Sequence, residues 1–136
     1  MSASRAVVQQ WFDHIADGNA EAAFALCTDD IAYNLKGTTP VSGTYRGLDA
    51  IFNDFFAPWG KQIDGHITLS VDEMIGDGDR IVVLSRGKSM TTLGNPYDNE
   101  YAFVFGIRDG KICEIIEYMD TALVETAAYG KRLVSD

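Results

Sequence analysis

Apolar residues recur at helical spacing over the first sixty positions of the chain. The first predicted helix carries one apolar stripe, made up of Val7, Val8, Trp11, Phe12 and Ile15. Ser4 can cap this helix, and Asn19 can cap a shorter second one. A strand through 31–35 and a loop over 36–47 follow. A third helix is then predicted from about residue 48 until Pro58 stops it.

Beyond Trp59 the apolar residues alternate with polar ones, which is typical of strands. Four strands are predicted, at about 63–75, 80–92, 97–107 and 112–119, with a short helix near 121–129. The turn Gly76-Asp77-Gly78-Asp79 is a strong hairpin signal between the first two strands. Helices followed by an antiparallel meander predict one α+β domain over 1–136, because no repeat or linker interrupts the pattern.

The composition narrows the range of partners. The net charge is −9, and an acidic surface repels phosphate backbones and anionic lipid, so we expect neither nucleic acid nor a membrane as partner. The apolar runs are too short to span a bilayer, and the first residues do not resemble a signal peptide, which favours a cytoplasmic protein. Cys27 and Cys113 have no metal-ligand spacing, so we expect two reduced thiols and no metal site.

Short sequence segments in a characteristic order resemble the ketosteroid isomerase and SnoaL-like families of the nuclear transport factor 2-like superfamily. They are the run Val7-Val8-Gln9-Gln10-Trp11, the run Thr28-Asp29-Asp30-Ile31-Ala32, residues 37–40, the run Ser42-Gly43-Thr44-Tyr45-Arg46-Gly47, Ala50-Ile51, the run Tyr97-Asp98-Asn99-Glu100-Tyr101, residues 109–112, and the run Glu117-Tyr118-Met119-Asp120-Thr121. The resemblance implies a cone, in which a strongly curved, mainly antiparallel sheet wraps around three N-terminal helices. It also implies an internal pocket, usually a dimer, and no cofactor. Members include isomerases, cyclases, hydrolases and binding proteins, so the fold alone does not determine the function.

The catalytic set of the steroid isomerases is not present in this chain. Their helix tyrosine matches Trp11, and their aspartate base matches Leu35, which cannot accept a proton. Their second acid falls near Tyr101 or Ala102, where no carboxylate stands in the alternating row that would face the pocket. The sequence therefore excludes that mechanism.

The related limonene epoxide hydrolases share about half of their catalytic set with this chain. Their arginine matches Arg86, one carboxylate matches Glu117, and their water-holding tyrosine matches Tyr33. Their other aspartate matches Lys88, however, and their asparagine matches Leu35. Epoxide hydrolysis by their route is therefore not expected.

The candidate site follows from strand alternation, because residues two apart share one face of a sheet. On the strand at 80–92, Arg86 and Lys88 share one face with apolar residues. On the strand at 112–119, Glu117 also shares its face with apolar residues. Because an unpaired buried charge is costly, we expect both cations to face Glu117 inside the pocket. Glu117 is then the predicted base, positioned by Arg86, while Lys88, Asn99 and Tyr101 stabilise negative charge. A structural ion pair is the alternative interpretation.

The remaining predicted site residues are ligand-binding side chains on the pocket wall. They are Trp11, Tyr33, Phe103 and Trp59, in addition to Asn99 and Tyr101. His14 and His66 are expected to be structural. The outer face of the sheet is predicted to carry apolar residues that form a homodimer contact, namely Ile81, Val83, Ile112, Ile116 and Tyr118.

Two functions are compatible with these features. The first is an enzyme that acts on a small, largely apolar metabolite by cofactor-free proton transfer or hydrolysis, as an isomerase, cyclase or hydrolase. The second is a non-catalytic ligand-binding or dimerisation module that uses the same pocket. The missing inherited acid–base sets favour the second, and the charged residues favour the first.

Overall fold

Two capped helices open the chain in the computed structural model, which describes residues 1–136. Helix α1 (Ala3–Ala16) begins after Ser2, whose Oγ accepts a hydrogen bond from the Arg5 backbone N–H at 3.2 Å. The predicted cap, Ser4, lies inside this helix, so the predicted start was two residues late. Asn19 caps helix α2 (Ala20–Phe24) as predicted, because its Oδ1 accepts from the Ala22 N–H at 3.1 Å.

The third helix, α3, changes its hydrogen-bonding pattern along its length. It is α-helical over Leu48–Ala50, π-helical over Ile51–Phe56 and α-helical again over Ala57–Gly60. The prediction that Pro58 ends the helix was wrong, because Pro58 stands at the start of the last α-helical segment. At this junction the Ala57 N–H still donates to the Phe52 carbonyl oxygen, and Pro58, which has no N–H, omits one helical hydrogen bond.

Six strands form one sheet. They are β1 (Cys27–Leu35), β2 (Gly43–Arg46), β3 (Ile63–Ile75), β4 (Arg80–Thr91), β5 (Glu100–Arg108) and β6 (Lys111–Met119). Their order is β2-β1-β6-β5-β4-β3, and every neighbouring pair is antiparallel except β1 and β6. Strand β2 lies within the segment that we predicted as loop. With four residues it is too short to show a clear alternation, and its pairing with β1 is not visible in its own sequence.

The helices pack against one face of the sheet and enclose an aromatic core. Trp11 and Phe12 of α1 contact Phe103 and Phe105 of β5, with ring centroids 5.2 to 6.1 Å apart. A short helix, α4, is α-helical over Thr121–Leu123 and π-helical over Val124–Ala128, close to the predicted range. The predicted α+β class, with helices on a curved and mainly antiparallel sheet, is confirmed.

Candidate functional site

An internal cavity of about 200 Å³ lies between the helices and the inner face of the sheet. Of its 22 lining residues, 17 are hydrophobic, so most of a ligand that fills it would be apolar. The wall is built from the helices and from strands β1, β3, β5 and β6, with Trp11 of α1 and Val124 of α4 among its residues. The polar lining groups are few, and they determine what chemistry the cavity can support.

Glu117 is the one carboxylic acid that lines the cavity. Strand alternation turns its side chain inward together with Ile115, and the whole residue is only 9% exposed. The hydroxyl of Tyr33, on the neighbouring strand β1, donates to Glu117 Oε1 at 2.5 Å. Oε2 has no hydrogen-bond partner in the protein. Unlike the indole nitrogen of Trp11, it is not completely covered by protein atoms. That oxygen is therefore open to the cavity.

The pKa of Glu117 is raised to about 7, because burial penalises the charged carboxylate; the Tyr33 hydrogen bond opposes that effect. The same burial, with the nearby Glu117 charge, raises the pKa of Tyr33 well above its ordinary value. Tyr33 therefore keeps its proton and remains a donor. Glu117 is balanced between its two protonation states near neutral pH, which is the condition for a general acid or base.

Two further tyrosines, Tyr97 and Tyr101, lie beside each other on the same wall. Burial raises the pKa of both hydroxyls, and the charge of Glu117 adds to the effect. Both phenols therefore stay neutral. The cavity thus combines one titrating carboxyl with neutral hydroxyl groups and the imidazole of His66, and neither Lys nor Arg lines it.

The predicted ion pair between Arg86 and Glu117 is not formed. Arg86 lies on the opposite face of the sheet, where its guanidinium binds Asp72 at 3.0 to 3.1 Å. Lys88, in the same row, is also exposed. The prediction was wrong about which row faces inward, because both rows of β4 begin with apolar residues. The inner row of β4 is Ile81, Val83, Ser85 and Gly87.

The same shift in alternation corrects the predicted outer face of the sheet. Ile81, Val83 and Ile112 are fully buried in the core. Ile116 and Tyr118 lie on the outer face as predicted, together with Leu84. Strand β6 contributes to both lists because it bulges at Cys113, opposite Gly106 and Ile107 of β5, and the bulge changes which residues point inward.

The residues predicted on the cavity wall take different positions. Trp11, Tyr33, Trp59, Tyr101 and Phe103 line the cavity. Asn99 is buried beside it, and its amide contacts Tyr97 rather than the open space. The indole N–H of Trp11 is buried without a hydrogen-bond partner and lies among phenylalanine rings, so this side chain acts as apolar wall.

Sequence reasoning missed two polar residues of the wall, Tyr97 and His66. Tyr97 lies in the same alternating row as Asn99, Tyr101 and Phe103, and that row was the signal that would have included it. His66 lies where the pairing of β3 with β4 is interrupted, between Asp64 and Thr68. Its Nε2 lies 2.9 Å from the Ala16 carbonyl oxygen, a contact that no local pattern indicates.

The geometry agrees with what comparison with known proteins shows. The family model of the SnoaL-like domain matches residues 8–115, which include most of the sheet and its helices. The chain belongs to the SnoaL-like domain family. None of the helices in this SnoaL-like chain combines the length and apolar character that a membrane-spanning helix requires. No three His, Cys, Asp or Glu side chains come together as a metal site would need.

Solved structures share the fold of this SnoaL-like chain at low sequence identity. An NTF2-like protein of unknown function from Burkholderia pseudomallei superimposes with a TM-score of 0.85 at 21% identity, covering 94% of this chain and 98% of the other. TerC, co-crystallised with polyporic acid, gives 0.84 at 21% identity and covers 94% and 99%. A chain assigned as a SnoaL-like polyketide cyclase from Jannaschia sp. gives 0.78 at 18%, covering 96% and 94%.

A curated relative is similar over a shorter stretch. UPF0523 protein B from Dictyostelium discoideum is 36% identical over 74 residues, which cover 44% of this chain and 45% of the relative. The match thus spans less than half of that relative. These likenesses establish the fold and the family, and the chemistry has to be argued from the site.

Proposed function

We propose that this protein is a cofactor-free enzyme that moves a proton on a small, neutral, largely apolar molecule, with Glu117 as the acid–base group. The observation that carries the proposal is a carboxyl group with a pKa near 7, one oxygen of which is open to an apolar cavity. A buried carboxyl without a cationic partner is costly to maintain, which favours a functional over a structural role.

The proposed step needs only the groups of this chain. The Glu117 carboxylate accepts a proton from a carbon next to a carbonyl group, and the bonding electrons move onto the carbonyl oxygen. The resulting enolate regains a proton at carbon from the Glu117 carboxylic acid. Tyr33 holds Oε1 throughout, so the free oxygen Oε2 is the one that exchanges the proton. Isomerisation and cyclisation both contain such a step.

The cavity limits the size and charge of the ligand. A dry apolar cavity of about 150 Å³ in another protein binds benzene, so about 200 Å³ fits a compound of roughly one substituted ring. The absence of Lys and Arg from the wall disfavours an anionic ligand. TerC, which was co-crystallised with polyporic acid, and the Jannaschia chain, assigned as a polyketide cyclase, support an organic ligand for this fold.

Hydrogen exchange in a small ketone tests the proposal. Cyclohexanone incubated in D2O with the wild-type protein should gain deuterium next to its carbonyl faster than in buffer, as measured by mass spectrometry. The E117Q variant should fall to the buffer rate, because an amide cannot accept the proton. The E114Q variant is the matched control, since Glu114 lies on the same strand but pairs with Arg80 at the surface.

The pH dependence of the exchange provides a second readout. The wild-type rate should rise with pH through about 7 as Glu117 ionises. In Y33F the midpoint should move to higher pH, because the hydrogen bond that favours the carboxylate is lost. Equal exchange in wild type and E117Q would reject the enzyme and favour the binding module, which would use the same cavity without proton transfer.

We also propose that a homodimer forms through the outer face of the sheet. Leu84 is 37% and Tyr118 48% exposed there, and Ile116 lies between β1 and β5 on the same face. Burying these residues would remove apolar surface from water. Analytical ultracentrifugation should show a dimer for the wild type and a monomer for L84E. A wild-type monomer at high protein concentration would contradict the proposal.

A reducing, cytoplasmic setting is the remaining part of the proposal. Both cysteines are free thiols in the structure. Burial raises the pKa of Cys27 to about 12, so this thiol stays protonated and unreactive near neutral pH. Cys27 therefore serves as a small apolar core residue and not as a nucleophile.

A further inference from the structure

The side-chain amide of Asn99 is completely satisfied and can be oriented in one way only. Its Oδ1 accepts from the backbone N–H groups of Glu100 at 2.8 Å and Asp120 at 3.1 Å. Its Nδ2 donates to the Asp120 carbonyl oxygen at 3.1 Å and to the Tyr97 hydroxyl oxygen at 3.0 Å. The two backbone donors require an oxygen on one side and the backbone carbonyl requires an NH2 on the other, so the amide cannot be flipped.

This fixed amide determines the role of the Tyr97 hydroxyl. Because the oxygen of Tyr97 accepts from Asn99, its own proton must point elsewhere. Tyr101 is the neighbouring tyrosine on the same cavity wall. Two hydroxyl groups carry two protons, and a hydrogen bond between them would use only one. Because the amide of Asn99 presents a donor and not an acceptor to Tyr97, at least one O–H is left over for the cavity.

We propose that Asn99 is a positioning residue that makes the Tyr97–Tyr101 pair a hydrogen-bond donor toward the cavity, and so selects ligands with an acceptor oxygen. The proposal rests on the proposed function in so far as it concerns the same cavity. It specifies the ligand class as neutral carbonyl compounds of about one ring. Asn99 acts through Tyr97 and does not itself touch the ligand, in contrast to its predicted direct role.

The two polar parts of the cavity complement each other. Phe103 pairs with Glu117 across β5 and β6, while Tyr101 pairs with Met119 one step along the same face. The tyrosine donor and the Glu117 carboxyl therefore lie at neighbouring positions of the sheet. A carbonyl oxygen bound by the tyrosine pair brings its adjacent carbon toward Glu117. The hydrogen bond from Asn99 to the Tyr97 oxygen also polarises the Tyr97 hydroxyl and strengthens it as a donor.

Infrared spectroscopy of bound cyclohexanone tests this proposal without any turnover. A hydrogen bond to the carbonyl oxygen lowers its stretching frequency. We expect a lowered band in the wild-type protein and a smaller shift in N99A and Y97F. Cyclohexanone should bind the wild type more tightly than methylenecyclohexane, which has the same shape without oxygen. N99A and Y97F should bind cyclohexanone roughly fivefold more weakly than the wild type and bind methylenecyclohexane equally well.

Two matched controls separate positioning from general destabilisation. N34A removes an asparagine on strand β1 that alternates outward beside Tyr33, and Y118F removes a hydroxyl from the exposed Tyr118. Both should leave the carbonyl band unchanged. If N99A does not fold, Y97F decides, because Tyr97 carries the hydroxyl that Asn99 positions.

Four results would overturn the proposal. They are an unshifted carbonyl in the wild type, a wild-type band in folded N99A, a wild-type band in Y97F, and equal or absent binding of the ketone and the hydrocarbon. These results are independent of the exchange experiment. E117Q can abolish exchange while the carbonyl band shows no hydrogen bond, and the band can shift in a protein that exchanges nothing.

Discussion

The E117Q protein is expected to be more stable than the wild type above pH 7, by about 3 kcal/mol. Below about pH 4.5 the Glu117 carboxyl is protonated in the folded and the unfolded chain. Between about 4.5 and 7 only the unfolded chain ionises, so wild-type stability falls as the pH rises. Above 7 the folded protein holds a buried carboxylate, and the full penalty remains. Glutamine has no such titration.

Urea unfolding of both proteins between pH 4 and pH 9 measures this effect. The difference in the free energy of unfolding should grow from pH 4.5 to 7 and then level off. E114Q is the control, because Glu114 is exposed and paired with Arg80. If the difference in the free energy of unfolding between wild type and E117Q stayed constant across this range, Glu117 would not be a buried acid with a raised pKa in solution. That result would also remove the main support for the proposed proton transfer.

Replacing Trp11 with alanine should cost roughly 3–5 kcal/mol of folding free energy. Trp11 is 1% exposed, and its ring packs edge-on against Phe12, Phe24 and Phe105 at centroid distances of 5.1 to 5.9 Å. The indole N–H has no hydrogen-bond partner, so the loss is one of packing alone. The helix and the sheet that hold these rings cannot close the space completely, and a void remains.

Chemical denaturation of W11A, W11F and W59A checks this prediction. W11F should lose much less stability than W11A, because a phenylalanine keeps most of the ring contacts. W59A should also lose less, since Trp59 is only partly buried and contacts Tyr97 and Tyr129 at the edge of the core. Equal losses in W11A and W59A would contradict the central position of Trp11.

Local sequence signals were sufficient for most of the secondary structure. Asn19 caps α2 where predicted, and the hairpin turn at residues 76–79 separates β3 from β4. Such signals are short-range, since a cap or a tight turn depends on a few adjacent residues. Pro58 led to a wrong prediction of the end of α3. A proline usually ends an α-helix, but here it follows a π-helical segment and the helix continues. Strand β2 was missed because its four residues are too few to show alternation, and only its pairing with β1 reveals it as a strand.

The candidate site shows where local signals fail. On β6 the inward row was identified, and Glu117 lies in the cavity. On β4 both rows look alike, as Ile81 and Val83 alternate with Val82 and Leu84. We predicted that the row of Arg86 faces inward because we expected a buried ion pair with Glu117. In the structure Arg86 lies on the outer face and pairs with Asp72. A step of one residue moves every side chain of a strand to the other face.

The amino-acid pattern was enough to indicate the fold family and an inward acid, because helical stripes, alternation and turn residues act over short distances. The environment of that acid depends on the packing of distant strands. The contact of Tyr33 with Glu117 joins residues 84 positions apart. The amide of Asn99, which also contacts Tyr97, binds the backbone of Asp120, 21 positions after Asn99. The raised pKa of Glu117, the tyrosine donor and the exclusion of Arg86 all follow from the register and bulges of the assembled sheet, which no single segment encodes.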